Sequence, residues 1–156
     1  MNTLMQIGWD IVQQTIKRRF PEVRSTSTHD LADWLNQTER PLPLLLDVRT
    51  ADEYAVSHLP QAQRLEPNTQ DFSALADLPL DTPIVTYCSV GMRSAAIASQ
   101  LQANGFTNVT NLEGSIFRWV NEGRAAYRND QPVQQVHPYN SLWGLLLRHP
   151  FHAYTP

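Results

Sequence analysis

Residues 84–94 read IVTYCSVGMRS, and this stretch decides the fold. Its first four residues are apolar, aromatic or β-branched without regular alternation, which is typical of a strand buried on both faces of a parallel sheet. From Ser94 to Ala103 the chain is rich in alanine, which favours a helix. Cys88 is therefore predicted to lie between the carboxyl end of a strand and the amino end of a helix, where open α/β sheets bind ligands.

This position makes Cys88 a candidate nucleophile. The first N–H groups of a helix have no partner within the helix and favour an anion. Together with Arg93, they are expected to lower the pKa of the thiol, because the pKa of cysteine, about 8.5 when free, can fall to roughly 3.5–7.5 in settings of this kind. Gly91 permits a positive φ that would let the loop curl around the sulfur. Ser94 is predicted either to cap the helix or to donate a hydrogen bond to bound sulfur. The alternative for a lone cysteine is a small buried hydrophobic residue.

Strand and helix patterns alternate on both sides of this loop, which predicts an α/β domain with a mainly parallel sheet flanked by helices. The predicted strands cover residues 23–26, 44–48, 62–65, 84–87 and 109–112. One helix is predicted after a cap at residues 27–28, two more cover 52–57 and 94–103, and another includes 116–120. One or two helical turns are predicted at 72–78.

Further segments are predicted at the two ends of the chain, outside this domain. Residues 2–19 have the spacing of an amphipathic helix that Pro21 closes. We expect the helix to pack on the domain; the alternative is a membrane-surface or partner-binding helix, because Lys17, Arg18 and Arg19 lie at its end. The aromatic tail is expected to pack on this helix, with a dimer or partner surface as the alternative. The predicted units are a helix at 1–21, a domain at 22–124 and an extension at 125–156.

Composition excludes several classes of function. The chain has 156 residues, 42% hydrophobic residues, 17% charged residues and a net charge of -3, which fits one globular domain and gives no reason to expect a nucleic-acid partner. One cysteine excludes an internal disulfide, and only His149 and His152 approach metal-ligand spacing. No signal peptide or membrane span is evident. We therefore expect a cytoplasmic monomer with no metal, no nucleic acid and no membrane as partner.

The Cys-x-x-Gly-x-Arg-Ser loop after a hydrophobic strand resembles the active-site loop of rhodanese-like sulfurtransferases. Three further blocks resemble segments of the same family, in the family's order between residues 44 and 120. They are Asp47-Val48-Arg49 with Glu53-Tyr54, His58-Leu59-Pro60-Gln61-Ala62, and Leu112-Glu113-Gly114 with Trp119.

The resemblance implies a three-layer rhodanese-like domain with a five-stranded sheet and a sulfurtransferase activity without a cofactor. Cys88 would take the outer sulfur of a small donor such as thiosulfate, hold it as a persulfide, and pass it to a thiol or a carrier protein. The persulfide-binding loop would consist of Ser89, Val90, Gly91, Met92, Arg93 and Ser94, with the amides of residues 89–93 around the sulfur.

Asp47 and Arg49 are interpreted as supporting residues. Asp47 is predicted to brace the loop from below, and Arg49 to pair with Glu53 across one helical turn. Ser57, Gln61 and Ser115 stand where the family usually has glycine, which predicts a locally different backbone. Because Ser89 and Val90 are uncharged, Arg93 is the only charge of the loop, which predicts ordinary or weak affinity for thiosulfate.

Two alternatives to a sulfurtransferase can be weighed from the loop itself. A phosphatase or arsenate reductase on the same fold uses a Cys-x5-Arg loop of seven residues, whereas residues 88–93 number six. A non-catalytic rhodanese-like binding or regulatory module is expected to lose the cysteine, which is retained here. Both observations favour the sulfurtransferase.

Overall fold

The computed structural model describes residues 2–156 of the chain. Its helices are α1 Thr3–Arg19, α2 Thr28–Leu35, α3 Ala51–Val56, α4 Met92–Ala103 and α5 Ser115–Asn121. Its strands are β1 Arg24–Thr26, β2 Leu44–Asp47, β3 Gln63–Arg64, β4 Ile84–Tyr87, β5 Val109–Leu112, β6 Ala126–Arg128 and β7 Gln131–Val133.

The first five strands form one parallel sheet with the order β1-β5-β4-β2-β3. The predicted parallel five-stranded sheet is thereby confirmed. β4 is the central strand, and each of its four residues is buried. Its neighbours are β2, where Leu45 pairs with Val85, and β5, where Thr110 pairs with Val85. The carboxyl end of β4 therefore opens at the middle of one edge of the sheet.

Helices cover both faces of the sheet, which gives the predicted three layers. On one face, residues of α1, α2 and α5 form a single core with Val85 of β4, among them Trp9, Leu31 and Ile116. On the other face, Ile97 and its neighbours in α4 pack on side chains of β2, β4 and β5. Because β4 is covered on both sides, its length and direction are fixed, and so is the position of the residue that follows it.

α1 is capped at its amino end and buried along one side. Asn2 caps its amino end, accepting a hydrogen bond from the Met5 amide at 2.8 Å. The inner side buries Trp9, Val12 and Ile16. No helix within residues 2–156 is long and apolar enough to cross a bilayer.

The C-terminal region contains a hairpin that the sequence did not predict. β6 and β7 pair antiparallel around Asn129 and Asp130, which both have positive φ, 51° and 59°. Two such residues form the turn that suits a two-residue hairpin. Further along the chain, Leu146 and Leu147 are buried in the same core as Trp9. The last twenty residues therefore contact α1 as well as the sheet domain.

Candidate active site

Cys88 directly follows β4 and is 1% exposed. Its sulfur accepts a hydrogen bond from the Gly91 amide at 3.2 Å. α4 begins at Met92, two residues earlier than predicted, with Gly91 as its N-cap residue. Ser94 therefore lies inside the helix, and the alternative that it caps the helix is wrong. Its Oγ lies 3.5 Å from the sulfur of Cys88.

Gly91 and Asn111 shape the loop. Gly91 has a φ of 111°, and a Cβ at this position would lie 3.3 Å from Ile16 Cδ1 and 3.4 Å from Asn111 Nδ2. Asn111 donates a hydrogen bond to the Gly91 carbonyl at 2.9 Å and accepts one from Ser94 at 2.6 Å. Asn111 was missed by the sequence analysis, although an amide in the middle of a short apolar strand is a signal that could have found it.

Ser115 holds the other side of Cys88. Its hydroxyl accepts a hydrogen bond from the Cys88 amide at 3.2 Å and donates one to the Leu112 carbonyl at 3.1 Å. Ser115 and Gln61 both have positive φ, 50° and 60°. Both non-glycine residues thus adopt a conformation that glycine takes most readily. At Ser115 the side chain is used to anchor the loop.

Arg93 forms a bidentate ion pair with Glu53, with both nitrogen–oxygen distances at 2.9 Å. The Ser89 hydroxyl donates to Glu53 at 3.1 Å and accepts from Arg93 at 3.1 Å. Burial raises the pKa of Glu53, but the hydrogen bonds and charge of Arg93 outweigh it, so that the pKa falls to about 2. Glu53 thus keeps the charge of Arg93 partly neutralised beside the thiol.

The predicted pair between Arg49 and Glu53 is wrong, because Arg49 pairs with Asp47. Arg49 and Asp47 are fully buried and joined by bonds of 2.9 and 2.6 Å. Arg49 also donates to the Ser57 carbonyl at 2.7 Å. The Tyr87 hydroxyl donates to Asp47 at 2.7 Å and accepts from the Leu59 amide at 2.9 Å. This network joins the carboxyl ends of β2 and β4 next to the loop.

The surroundings of Cys88 favour the thiolate. Burial alone would raise the pKa of the thiol. The charge of Arg93, the Ser94 hydroxyl, and the amides of Ser94 and Gly91 act in the opposite direction and together bring the pKa below its usual value. A thiolate held in this way is a nucleophile.

A cavity of about 200 Å³ opens at the sulfur. Five of its lining residues come from the loop: Cys88, Ser89, Val90, Met92 and Arg93. The remaining two, Tyr139 and Trp143, come from the C-terminal region and were not predicted as site residues. The guanidinium carbon of Arg93 lies 4.6 Å from the centre of the Tyr139 ring. Within residues 2–156, no group of three or more His, Cys, Asp or Glu side chains is placed to hold a metal ion.

Residues 27–122 match the family model of the rhodanese-like domain. The match covers more than half of the chain, and the chain therefore belongs to the rhodanese-like family. The resemblance noted in the sequence is thereby confirmed.

Two curated relatives carry sulfurtransferase names. The thiosulfate sulfurtransferase GlpE of Pseudomonas savastanoi pv. phaseolicola is 36% identical over 92 residues, which cover 58% of this chain and 80% of that protein. The probable adenylyltransferase/sulfurtransferase MoeZ of Mycobacterium tuberculosis is 32% identical over 94 residues, covering 60% of this chain. The chain spans about a quarter of the length of MoeZ, since the match covers 24% of it.

Among solved structures, the fold is similar to that of a rhodanese-like domain protein from Staphylococcus aureus. The TM-score is 0.59 and the identity 28%, and the alignment covers 69% of this chain and 99% of the other. Family and structure together define the class as a rhodanese-like domain with sulfurtransferase relatives.

Proposed function

We propose that this protein is a sulfurtransferase in which Cys88 carries sulfane sulfur as a persulfide. The observation that supports this best is the thiol itself, which has a lowered pKa, accepts a hydrogen bond from the Gly91 amide and belongs to a cavity that Arg93 also lines. The names of the relatives support the same reaction class.

The reaction is a double displacement. The Cys88 thiolate attacks the outer sulfur of a donor such as thiosulfate, a sulfur–sulfur bond forms, and the donor's own sulfur–sulfur bond breaks. The electron pair of that bond leaves with sulfite. In the second half, the thiolate of an acceptor attacks the outer sulfur of the persulfide and regenerates the Cys88 thiolate. Neither half requires a metal, an oxidant or a general base.

The loop has a distinct task in each half. The amides of residues 89–93 stabilise the negative charge on the outer sulfur of the persulfide. Arg93 favours the thiolate form of the resting cysteine, and Glu53 holds the guanidinium in place. Asp47 and Arg49 act at a distance, because their ion pair ties β2 to the strand that ends at Cys88.

The partners that this reaction needs are a small sulfur donor and an acceptor, either a thiol or a carrier protein. We place the protein in the cytoplasm as a monomer, with the boundaries 1–21, 22–124 and 125–156 given above. A non-catalytic binding module is the competing function.

Steady-state kinetics test the proposal. With thiosulfate as donor and a thiol as acceptor, sulfite release measured against both concentrations should give the parallel double-reciprocal lines of a double displacement. Cys88→Ser, which keeps the size of the side chain, should abolish turnover. Intersecting lines, or a Cys88→Ser variant that turns over at the native rate, would contradict the persulfide mechanism and favour the binding module.

A further inference from the structure

The wall of the cavity opposite the loop comes from outside the residues that match the family. Tyr139 and Trp143 lie beyond residue 122, yet both line the cavity at Cys88. We propose that Tyr139 and Trp143 are specificity-determining residues that favour organic sulfur donors, such as aryl thiosulfonates, over the compact thiosulfate dianion. This inference rests on the proposed function and names the donor class for the same site.

The charge balance in the cavity disfavours a dianion. Among the described residues that line it, Arg93 is the one cation, and Glu53 partly neutralises its charge through two bonds of 2.9 Å. The ring of Tyr139 covers the same guanidinium at 4.6 Å. The Cys88 thiolate adds a negative charge of its own. A donor that brings one negative charge is therefore repelled less than a donor that brings two.

The remaining lining suits an aryl group. Val90, Met92, Tyr139 and Trp143 present apolar and aromatic surface, in a space of about 200 Å³. An apolar cavity of about 150 Å³ is enough to admit a benzene ring. Aromatic rings also attract each other beyond the burial of their area. A ring attached to the sulfane sulfur group would contact these side chains, whereas thiosulfate has no group to do so.

The two aromatic residues are held in place by their own segment. Tyr139 has a φ of 69°, an uncommon conformation for a bulky residue, and its amide donates to His137 Nδ1 at 3.0 Å. Asn140 accepts a hydrogen bond from the Trp143 amide at 2.9 Å. Strained residues of this kind persist where their surroundings determine them, commonly at ligand sites.

Transfer of the sulfane sulfur from an aryl thiosulfonate to Cys88 needs no further reactant. The Cys88 thiolate attacks the sulfane sulfur and forms a new sulfur–sulfur bond. The bond between that sulfur and the sulfonyl sulfur breaks, and its electron pair leaves on an aryl sulfinate. One thiolate and one thiosulfonate anion become one persulfide anion and one sulfinate anion, so no proton or electron is exchanged with the solvent.

The test is the ratio of kcat/KM for benzenethiosulfonate to kcat/KM for thiosulfate, measured with the same acceptor. We expect the native protein to prefer benzenethiosulfonate by about tenfold or more. Tyr139→Ala and Trp143→Ala should each lower the ratio by about threefold to tenfold, the range of one aromatic contact. The loss should fall mainly on KM for benzenethiosulfonate. Tyr139→Phe, which retains the ring, should restore the preference.

Leu142→Ala is the matched control, because Leu142 is 68% exposed on the same segment and does not line this cavity. It should leave the ratio unchanged. A native preference for thiosulfate, or a ratio that neither alanine variant lowers, would overturn the inference. If either of these results is found while Cys88 still gains sulfur from both donors, only the inference fails. If neither donor adds sulfur to Cys88, the proposed function fails with it.

Discussion

At the scale of the residue, the chemistry of Cys88 depends on two opposing effects. A thiol that is 1% exposed would remain neutral if burial acted alone. Arg93, Ser94 and the amide of Gly91 reverse this, and the pKa falls below its ordinary value. Arg93 acts on the thiol from a fixed position, because two nitrogens of its guanidinium donate hydrogen bonds to Glu53. The reactivity of the thiol is therefore controlled by a residue in a different part of the chain.

Replacing Arg93 with Gln should raise the pKa of Cys88, since the attraction of the cation for the thiolate is lost. The rate of alkylation by iodoacetamide, followed against pH, reports this pKa. The native midpoint should lie below that of an ordinary exposed cysteine, and the midpoint of Arg93→Gln above the native one. Arg118→Gln, which removes an arginine paired with Glu113 instead, should keep the native midpoint. Equal midpoints in all three proteins would contradict the role given to Arg93.

The Glu53 carboxylate should make the free energy of unfolding depend on pH in the acid range. Its pKa is about 2 in the folded protein and about 4.3 in an unfolded chain. The stability it contributes is therefore complete above about pH 4.3 and is lost as the pH falls towards 2. Urea unfolding at pH 7 should show Glu53→Gln less stable by about 1.5–3 kcal/mol, the range for hydrogen bonds to charged groups. This difference should shrink between pH 4 and 2; a constant difference would argue against an ionised Glu53.

The sequence alone could predict Cys88 as the candidate nucleophile but not the pairing of the residues that surround it. Cys88, Gly91 and Arg93 lie within six residues, so local spacing predicts them together. Glu53 lies forty residues from Arg93 along the chain, and the four-residue rule assigned it to Arg49. That rule failed because Asp47, two residues away, offers Arg49 both carboxylate oxygens in a fully buried site.

At the scale of the element, the strand–loop–helix unit from β4 to α4 depends on one backbone conformation. Gly91 turns the chain with a φ of 111° and starts α4 two residues before the predicted start. The composition of a helix predicts its interior well, but its first turn is determined by the cap. The hairpin β6–β7 was missed for a related reason. Its strands are only three residues long, and their pairing depends on two residues with positive φ.

Gly91→Ala should damage both stability and the site. A left-handed residue with a Cβ costs roughly 1–2 kcal/mol, and this Cβ would also press on Ile16 and Asn111. Gly123→Ala is the matched control, because Gly123 has a φ of 89° with nothing within 4 Å of the added Cβ. Both variants should lose about 1–2 kcal/mol in urea unfolding, but only Gly91→Ala should slow the alkylation of Cys88. An equal alkylation rate in both variants would show that the loop does not depend on this turn.

At the scale of the whole molecule, the two ends of the chain share one core with the sheet domain. Trp9 of α1 and Leu147 of the C-terminal segment are 1% and 2% exposed in the same cluster. The fold of the central part was predictable because alternating strand and helix patterns define it locally. The tail was expected to pack on the N-terminal helix, and Leu147 does share a core with Trp9, but local patterns did not indicate which of its residues reach the cavity. Tyr139 and Trp143 reach the cavity only through this tertiary packing.

Leu147→Ala should destabilise the entire protein, because the buried side chain leaves a cavity between the tail and the rest of the core. A loss of about 2–5 kcal/mol in urea unfolding is expected. Leu145→Ala is the matched control, since Leu145 is 68% exposed and should change stability by less than about 0.5 kcal/mol. A small effect of Leu147→Ala would mean that the tail is a separate, weakly attached segment.

The central claim is that Cys88 carries sulfur, and intact-mass spectrometry tests it most directly. Because the chain has a single cysteine, a cysteine persulfide can form only at Cys88. After brief incubation with excess thiosulfate or benzenethiosulfonate, the native protein should gain about 32 Da, one sulfur atom, and Cys88→Ala should gain nothing. No gain with either donor, or the same gain in Cys88→Ala, would contradict the persulfide mechanism.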